Sequence, residues 1–284
     1  MTPEKVNLEH IRTMKERGEP IVMLTAYDAL TAKLIDESGA DLVLVGDSAG
    51  MVVHGFESTL PVTMDMMILH CQAVRRGVKR ALVVGDMPFM SYQLNTEEAK
   101  RNAARFLAQG GADAVKIEGG REMAPTIRAL VDTGIAVMGH IGLLPQHLSA
   151  LGRFKVQGKT LEAAQRLIED AKAVEAAGAF SMVLETVPAR LAGLISKLVS
   201  IPTIGIGAGV DCDGQVLVTP DLLGMSAEVR PKHAKRYAEL AQVMTQAFTS
   251  FRDEVRARAF PGDKNSFTLS DEVWDTLRRQ YLSS

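Results

Sequence analysis

Four acidic residues stand at the ends of short apolar runs: Asp47 closes DLVLVGD, Asp86 closes ALVVGD, Glu118 closes AVKIE and Glu185 closes SMVLE. Lys116 sits inside the third of these runs, and His140 sits in a fifth, AVMGHIG. Carboxylates from separate strands that meet in a dry site repel one another unless a cation or a shared proton relieves them. An oxygen-only donor set of this kind suits Mg2+, which keeps part of its water shell and takes one or two carboxylates plus substrate oxygens. Zinc is a poor match. His140 and His147 lack metal-ligand spacing on a helix, no H-E-x-x-H occurs, and Cys71 and Cys212 are far apart. His140 reads as a polar residue lining a pocket.

Ser48 opens a second possibility. Gly46-Asp47-Ser48-Ala49-Gly50 matches G-x-S-x-G, the nucleophile elbow of an α/β-hydrolase. That reading needs an oxyanion loop upstream and a helix directly after the serine. Nothing before Ser48 resembles such a loop, and the following MVVHGFESTLPVT, with Gly55 and Pro61, reads as a loop. The acid, not the hydroxyl, is therefore the working group. Gly205-Ile206-Gly207-Ala208-Gly209 misses the G-x-G-x-x-G spacing of a dinucleotide site and reads as a strand end where backbone packs closely.

What must position these residues is visible in a repeated phrase. SGADLVLVGDS, GGADAVKIEGG and AGAFSMVLETV each begin with a helix-ending glycine, continue as a strand and deliver an acid. Further strands are predicted at IVMLTAYD, ALVVGDMPF, AVMGHIG, TIGIGAG and GQVLV, making eight. Helical patterns separate most of them. In NTEEAKRNAARFLAQGG, Asn95 is placed to cap, with Glu98 three residues later and Ala103, Phe106 and Leu107 on one face. TLEAAQRLIEDAKAVEAAG carries Leu161, Ala164, Ile168 and Ala171 at helical spacing. Alternating strands and helices in this number predict an α/β fold, a (β/α)8 TIM barrel, in which strand C-termini form the active-site face. Gly207 to Gly214 leaves no room for a helix between strands seven and eight. A helix in VNLEHIRTMKERGEP is predicted to close the barrel bottom. The expectation is one domain over 1–284, with a core at about 20–225, a long helix at 231–258 within a C-terminal helical segment 231–284, and a turn at PGDKNSF.

Composition narrows the function classes. With 46% apolar and 23% charged residues the 284-residue chain has ordinary material for a core. A net charge of −2 provides no basic field for nucleic acid or an anionic membrane. No run approaches the ~18 apolar residues of a membrane span. Two cysteines without a C-x-x-C pair predict reduced thiols and a cytoplasmic protein.

The stretches VGDSAGMVVHGFESTLPVTMD, GDMPFMSY, VKIEGG, GHIGLLPQ, VLETVP and IGIGAGVDCDGQVLV, in this order, resemble the ketopantoate hydroxymethyltransferase family of the phosphoenolpyruvate/pyruvate barrel superfamily. The resemblance implies transfer of a hydroxymethyl group from 5,10-methylenetetrahydrofolate to α-ketoisovalerate through an enolate stabilised by Mg2+. It implies Asp47, Asp86 and Glu118 as the metal site, some acting through water. Asp47, Ser48, Asp86, Lys116 and His140 would contact the 2-oxo acid, Glu185 would be the proton acceptor, and Lys116 would assist catalysis. Ser48 then returns as a hydrogen-bond donor to substrate. The partners implied are a small 2-oxo acid, a folate and further copies of the chain, as a homodecamer built from dimers, with no nucleic acid and no membrane. Arg153, Lys155 and Lys159 in the long loop 142–160 are expected to meet the anionic folate tail. Position 49 is Ala where the family usually has Leu, and Thr219-Pro220 stands where it usually has a histidine before Asp221. The alternatives are a C–C lyase of the same superfamily, for which the K-K-C-G-H stretch is missing, and a barrel that only binds a ligand.

Overall fold

Eight parallel strands, each of four to six residues, close into a barrel in sequence order, β1 pairing with both β2 and β8. They are β1 (Ile21–Thr25), β2 (Leu42–Val45), β3 (Leu82–Asp86), β4 (Ala114–Glu118), β5 (Val137–Gly142), β6 (Ser181–Glu185), β7 (Thr203–Ile206) and β8 (Gly214–Leu217). The computed structural model describes residues 4–147, 155–225 and 232–282. The TIM barrel is thus the fold, as the strand count predicts.

Period-2 alternation divides each strand between two apolar layers. Met23, Leu42, Leu82, Val84, Ala114, Met138, Val183 and Ile204 fill the barrel interior. Val43, Val83, Val115, Ile117, Val137 and Leu184 face outward against the helices. The helices in order are α1 (Leu8–Arg17), α2 (Ala29–Glu37), α3 (Ala49–Val52), α4 (Met64–Gly77), α5 (Thr96–Ala108), α6 (Ala124–Val131), α7 (Leu161–Ala176), α8 (Ala189–Leu198), α9 (Thr219–Leu222), α10 (Leu240–Arg256) and α11 (Asp271–Leu282). The predicted cap of α5 is present, Asn95 accepting from the Glu98 N–H, and Ala103 and Phe106 are buried. The helix α1 plugs the N-terminal end: Ile11 is fully buried and joins the interior layer with Val6. Lys15 anchors it by donating to Asp213 and to the carbonyls of Ser196 and Ile201.

Two elements depart from the pattern read in the sequence. After Ser48 the chain makes one helical turn, α3, before its loop begins. The long helix starts at Leu240 rather than 231. The N–H groups of Tyr237, Leu240 and Ala241 donate to the carbonyls of Leu222, Leu223 and Gly224, which ties the start of the helix to the end of α9. The barrel wall is thin where β8 meets β1. Val22 is 48% exposed on the outer face of a barrel strand. Neither α10 nor α11 carries a buried residue, and both are largely exposed, with Phe248, Phe251 and Val255 in one stripe and Trp274, Leu277 and Tyr281 in another.

Candidate active site

The C-terminal mouth of the barrel gathers the predicted residues. Asp86, Glu118 and Glu185 are the last residues of β3, β4 and β6. Asp47 lies two residues past the end of β2. Strand register makes Asp86 the neighbour of Lys116 and Glu118 the neighbour of His140. The Lys116 ammonium is 2.8 Å from Asp86 Oδ1 and 4.0 Å from Glu118 Oε1. His140 spans the next gap, its Nδ1 3.5 Å from Glu118 Oε1 and its Nε2 3.2 Å from Glu185 Oε2. The Asp47 N–H donates to Asp86 Oδ2 at 3.2 Å. All but Ser48 and Glu185 are buried, and Glu185 retains 16% side-chain exposure at the mouth.

Burial makes the electrostatics severe. Burial first, then the charges of Asp86 and Glu118, hold the Asp47 carboxyl well above the usual carboxylate range. Asp86 is raised too, by burial and Glu118, against the opposing pull of Lys116. Glu118 goes the other way: burial opposes its charge, but His140, Lys116 and the Gln146 N–H overcome it. Burial and Lys116 work against a charge on His140, yet its contacts with Glu118 and Glu185 prevail and push it up to about 9. The 3.2 Å approach of Lys116 Nζ to His140 Nδ1 is then a contact of like charges, tolerated because carboxylates flank it. Asp86 Oδ1, although beside Lys116, receives no well-directed hydrogen bond, and neither does His140 Nε2 donate one.

Ser48 is no hydrolase nucleophile. Its Oγ pairs with the Tyr27 hydroxyl at 2.9 Å, and its backbone, at φ −51° and ψ −18°, is relaxed rather than the strained elbow. Burial pushes Tyr27 up to about 12, so the phenol stays protonated and can donate to Ser48. The serine hydrogen is then left for a ligand. Gly46 keeps space for it: a Cβ there would lie 2.7 Å from Ser48 Oγ.

Sequence reasoning missed three residues here. Gln146 donates from Nε2 to Asp47 Oδ2 at 3.0 Å and from its backbone to Glu118 Oε2 at 3.1 Å. Tyr92 accepts from the Glu118 N–H and donates to Gln146 Oε1 at 2.8 Å. Tyr27 is the third. Gln146 and Tyr92 end the motif stretches GHIGLLPQ and GDMPFMSY, and Tyr27 lies in the predicted strand IVMLTAYD, but none carries a charge that would single it out. Lys155 and Lys159 are exposed, while Arg153 lies outside the described residues.

This constellation can now be set beside known proteins. A profile of the ketopantoate hydroxymethyltransferase family matches residues 5–263. The chain belongs to the ketopantoate hydroxymethyltransferase family. Among its relatives, the 3-methyl-2-oxobutanoate hydroxymethyltransferase of Clostridium novyi (strain NT) is 56% identical over 263 residues, covering 93% of this chain and 96% of the relative. That of Carboxydothermus hydrogenoformans is 53% identical over 274 residues, covering 96% of this chain and 99% of the relative. Phosphonopyruvate hydrolase has the same fold at 13% identity, with a TM-score of 0.60 over 99% of this chain and 100% of that one. So does 2,3-dimethylmalate lyase of the PEP mutase/isocitrate lyase superfamily, at 14% identity and a TM-score of 0.59 over 99% and 100%. Membership of the ketopantoate hydroxymethyltransferase family makes the mouth of the barrel the place to look for a one-carbon transfer.

Proposed function

We propose that this protein is an enzyme that transfers a hydroxymethyl group from 5,10-methylenetetrahydrofolate to 3-methyl-2-oxobutanoate (α-ketoisovalerate), giving ketopantoate for pantothenate synthesis. The observation that carries the reading is the convergence of Asp47, Asp86, Lys116, Glu118, His140 and Glu185 at the strand ends of a family member.

Charge supports a divalent cation. Four acids crowd one ammonium and one histidine in a largely buried site, and burial and mutual repulsion push Asp47 and Asp86 upward, a strain that a bound cation would relieve. The donors are all oxygen, and Asp86 Oδ1 has the Lys116 ammonium 2.8 Å away but no well-directed hydrogen bond. Among the described residues no three acids, histidines or cysteines form a ready-made metal cage, so water and substrate oxygens would have to complete the shell of a bound Mg2+. Asp47 and Asp86 would hold it, with Glu118 acting through water. Bound there, Mg2+ would be a Lewis acid for the keto and carboxylate oxygens of the 2-oxo acid.

The chain's own groups divide the remaining work. Lys116, held upward in its ionisation by Asp86, Glu118 and Asp47 in spite of burial, adds fixed positive charge beside those oxygens. Ser48 donates its free hydrogen to the substrate carboxylate. Glu185 accepts the proton from C3 of the 2-oxo acid, with His140 Nε2 3.2 Å from its Oε2. The electron pair released from the C3–H bond forms the new C–C bond to the methylene carbon. The two folate C–N bonds to that carbon break, one as the C–C bond forms and one as water supplies the hydroxyl, and tetrahydrofolate leaves with the proton taken by Glu185 and the proton left by water on its two nitrogens. Leu44, Val183 and Ile206, at 7%, 3% and 8% exposure, are interior residues that solvent reaches from the mouth, whereas Leu42, Met138 and Ile204 below them are at 0%. They offer an apolar seat for a branched aliphatic tail. Lys155 and Lys159 are assigned to the folate's anionic tail. Gln157 ties their segment to the site by donating from its backbone to the Thr186 carbonyl at 3.0 Å.

The active protein is assigned as a homo-oligomer, a decamer by family resemblance. The apolar stripes of α10 and α11 and the thin wall at Val22 support self-association, because each leaves apolar surface that a second copy can cover. Among the described residues no helix is long and apolar enough to cross a membrane, and the free thiols of Cys71 and Cys212 accord with a cytoplasmic setting. Incubating the protein with both substrates and Mg2+, and following ketopantoate by mass spectrometry, tests the activity. Product that disappears with EDTA is expected. No product at saturating metal and substrate removes the assignment, and sedimentation as a monomer removes the oligomer.

A further inference from the structure

The geometry points to Gln146 as the positioning residue that sets the carboxylates of Asp47 and Glu118 for a divalent cation, an inference that rests on the metal reading above. Gln146 is 2% exposed, in a single 3-10 turn, Pro145–His147, that follows β5. Its side-chain amide is saturated. One Nε2 hydrogen goes to Asp47 Oδ2 at 3.0 Å and the other to the Met87 carbonyl at 2.9 Å. Oε1 accepts from Tyr92 Oη at 2.8 Å and Gln93 Nε2 at 3.1 Å. The amide can sit only one way round. Reversed, its oxygen would face a carboxylate and a carbonyl, and its NH2 would face the Gln93 amide hydrogens.

This one residue therefore touches the ends of three strands. It meets Asp47 beyond β2, the carbonyl of Met87 beyond β3, and Glu118 on β4 through its own N–H. It engages one oxygen of Asp47 and one of Glu118, and leaves the other oxygen of Asp47 for the cation. A group that merely filled space would not need four directed hydrogen bonds, all of them aimed at the acid cluster or its immediate support. Partners that orient metal-binding carboxylates are typically worth roughly 10–100-fold in metal affinity.

The test is Mn2+ binding by electron paramagnetic resonance in the absence of substrate, on the full chain and on the variants Gln146→Met, Tyr92→Phe and Ile11→Ala. Gln146→Met keeps the length of the side chain and removes its donors. It is expected to weaken Mn2+ binding by roughly 10–100-fold, with the folate KM unchanged. Tyr92→Phe removes the hydroxyl that orients the amide and is expected to weaken binding in the same direction to a smaller degree. Ile11→Ala, at the opposite end of the barrel, controls for loss of stability alone and is expected to bind as the unsubstituted protein does. Unchanged Mn2+ affinity in Gln146→Met overturns the inference while leaving the metal reading intact. If Gln146→Met does not fold, unchanged affinity in Tyr92→Phe overturns it instead. No Mn2+ binding by the unsubstituted protein, with 3-methyl-2-oxobutanoate absent or present, overturns both.

Discussion

Replacing Lys116 by Met keeps its bulk and removes the one ammonium in the acid cluster. At 2.8 Å from Asp86 and an effective dielectric near 20, the gross attraction is about 6 kcal/mol. Much of that offsets the cost of burying both ions, so the net loss is set by what Asp86 does when left alone. Its escape is to take up a proton. At pH 7.5 that costs about 5 kcal/mol for a group with an ordinary carboxylate pKa, at 1.36 kcal/mol per unit. The penalty is thus about 3–5 kcal/mol, in the range found for breaking buried pairs. In a chain of this size that corresponds to a fall in Tm of roughly 5–8 °C. Calorimetry in EDTA reads it directly. The companion Lys116→Met/Asp86→Asn removes both charges and is expected to recover at least half of the loss, while remaining catalytically inactive. A Tm for Lys116→Met equal to the unsubstituted protein, or a double variant no better than the single one, would refute the claim that this pair is buried and interdependent.

Other outcomes follow from the same geometry. Tyr27→Phe frees the acceptor lone pair of Ser48 and should raise the KM for the 2-oxo acid by roughly 5–15-fold, about 1–1.5 kcal/mol, with Tm nearly constant. Val183→Ala enlarges the apolar seat and should improve kcat/KM for 2-oxo acids one methylene longer relative to 3-methyl-2-oxobutanoate; unchanged ratios would remove Val183 from the pocket wall. Substituting Arg153, Lys155 and Lys159 by Ala should raise the folate KM without moving that of the oxo acid. Away from the site, Asp36 accepts from the N–H groups of Lys79, Arg80 and Ala81. Burial opposes its charge, but these bonds win and hold its pKa below the ordinary 3.8. The stabilisation, about 1–2 kcal/mol over Asp36→Asn, is complete above pH ~5 and vanishes as pH falls through the lowered folded value. Urea denaturation of the pair of proteins between pH 7 and pH 2.5 reads the difference.

How much of this was legible in the sequence depends on whether a residue's role is local. Strands announced themselves because both faces are buried, which leaves continuous apolar runs such as LVLV and LVVGD. The acids stood out because a charge at the end of such a run has no local reason to be there. Gln146 and Tyr92 did not, since an uncharged polar side chain beside a proline or in a turn looks like any loop residue. Their importance comes from partners 54 and 99 positions away in the chain, Gln146 with Tyr92 and with Asp47. The start of α10 was misjudged for a similar reason. Its first residues and Tyr237 before them are held by backbone pairing to Leu222, Leu223 and Gly224, which no periodicity records.

The central claim is that this site removes the C3 proton of a 2-oxo acid with Glu185 as the base. Proton NMR of 3-methyl-2-oxobutanoate in D2O, with the protein and Mg2+ and then with tetrahydrofolate added, tests it most directly. The account expects the C3 proton signal to be lost at a rate that EDTA or Glu185→Gln abolishes. Retention of that signal in both the binary and the folate-containing mixtures, or equal loss with Glu185→Gln, would contradict it.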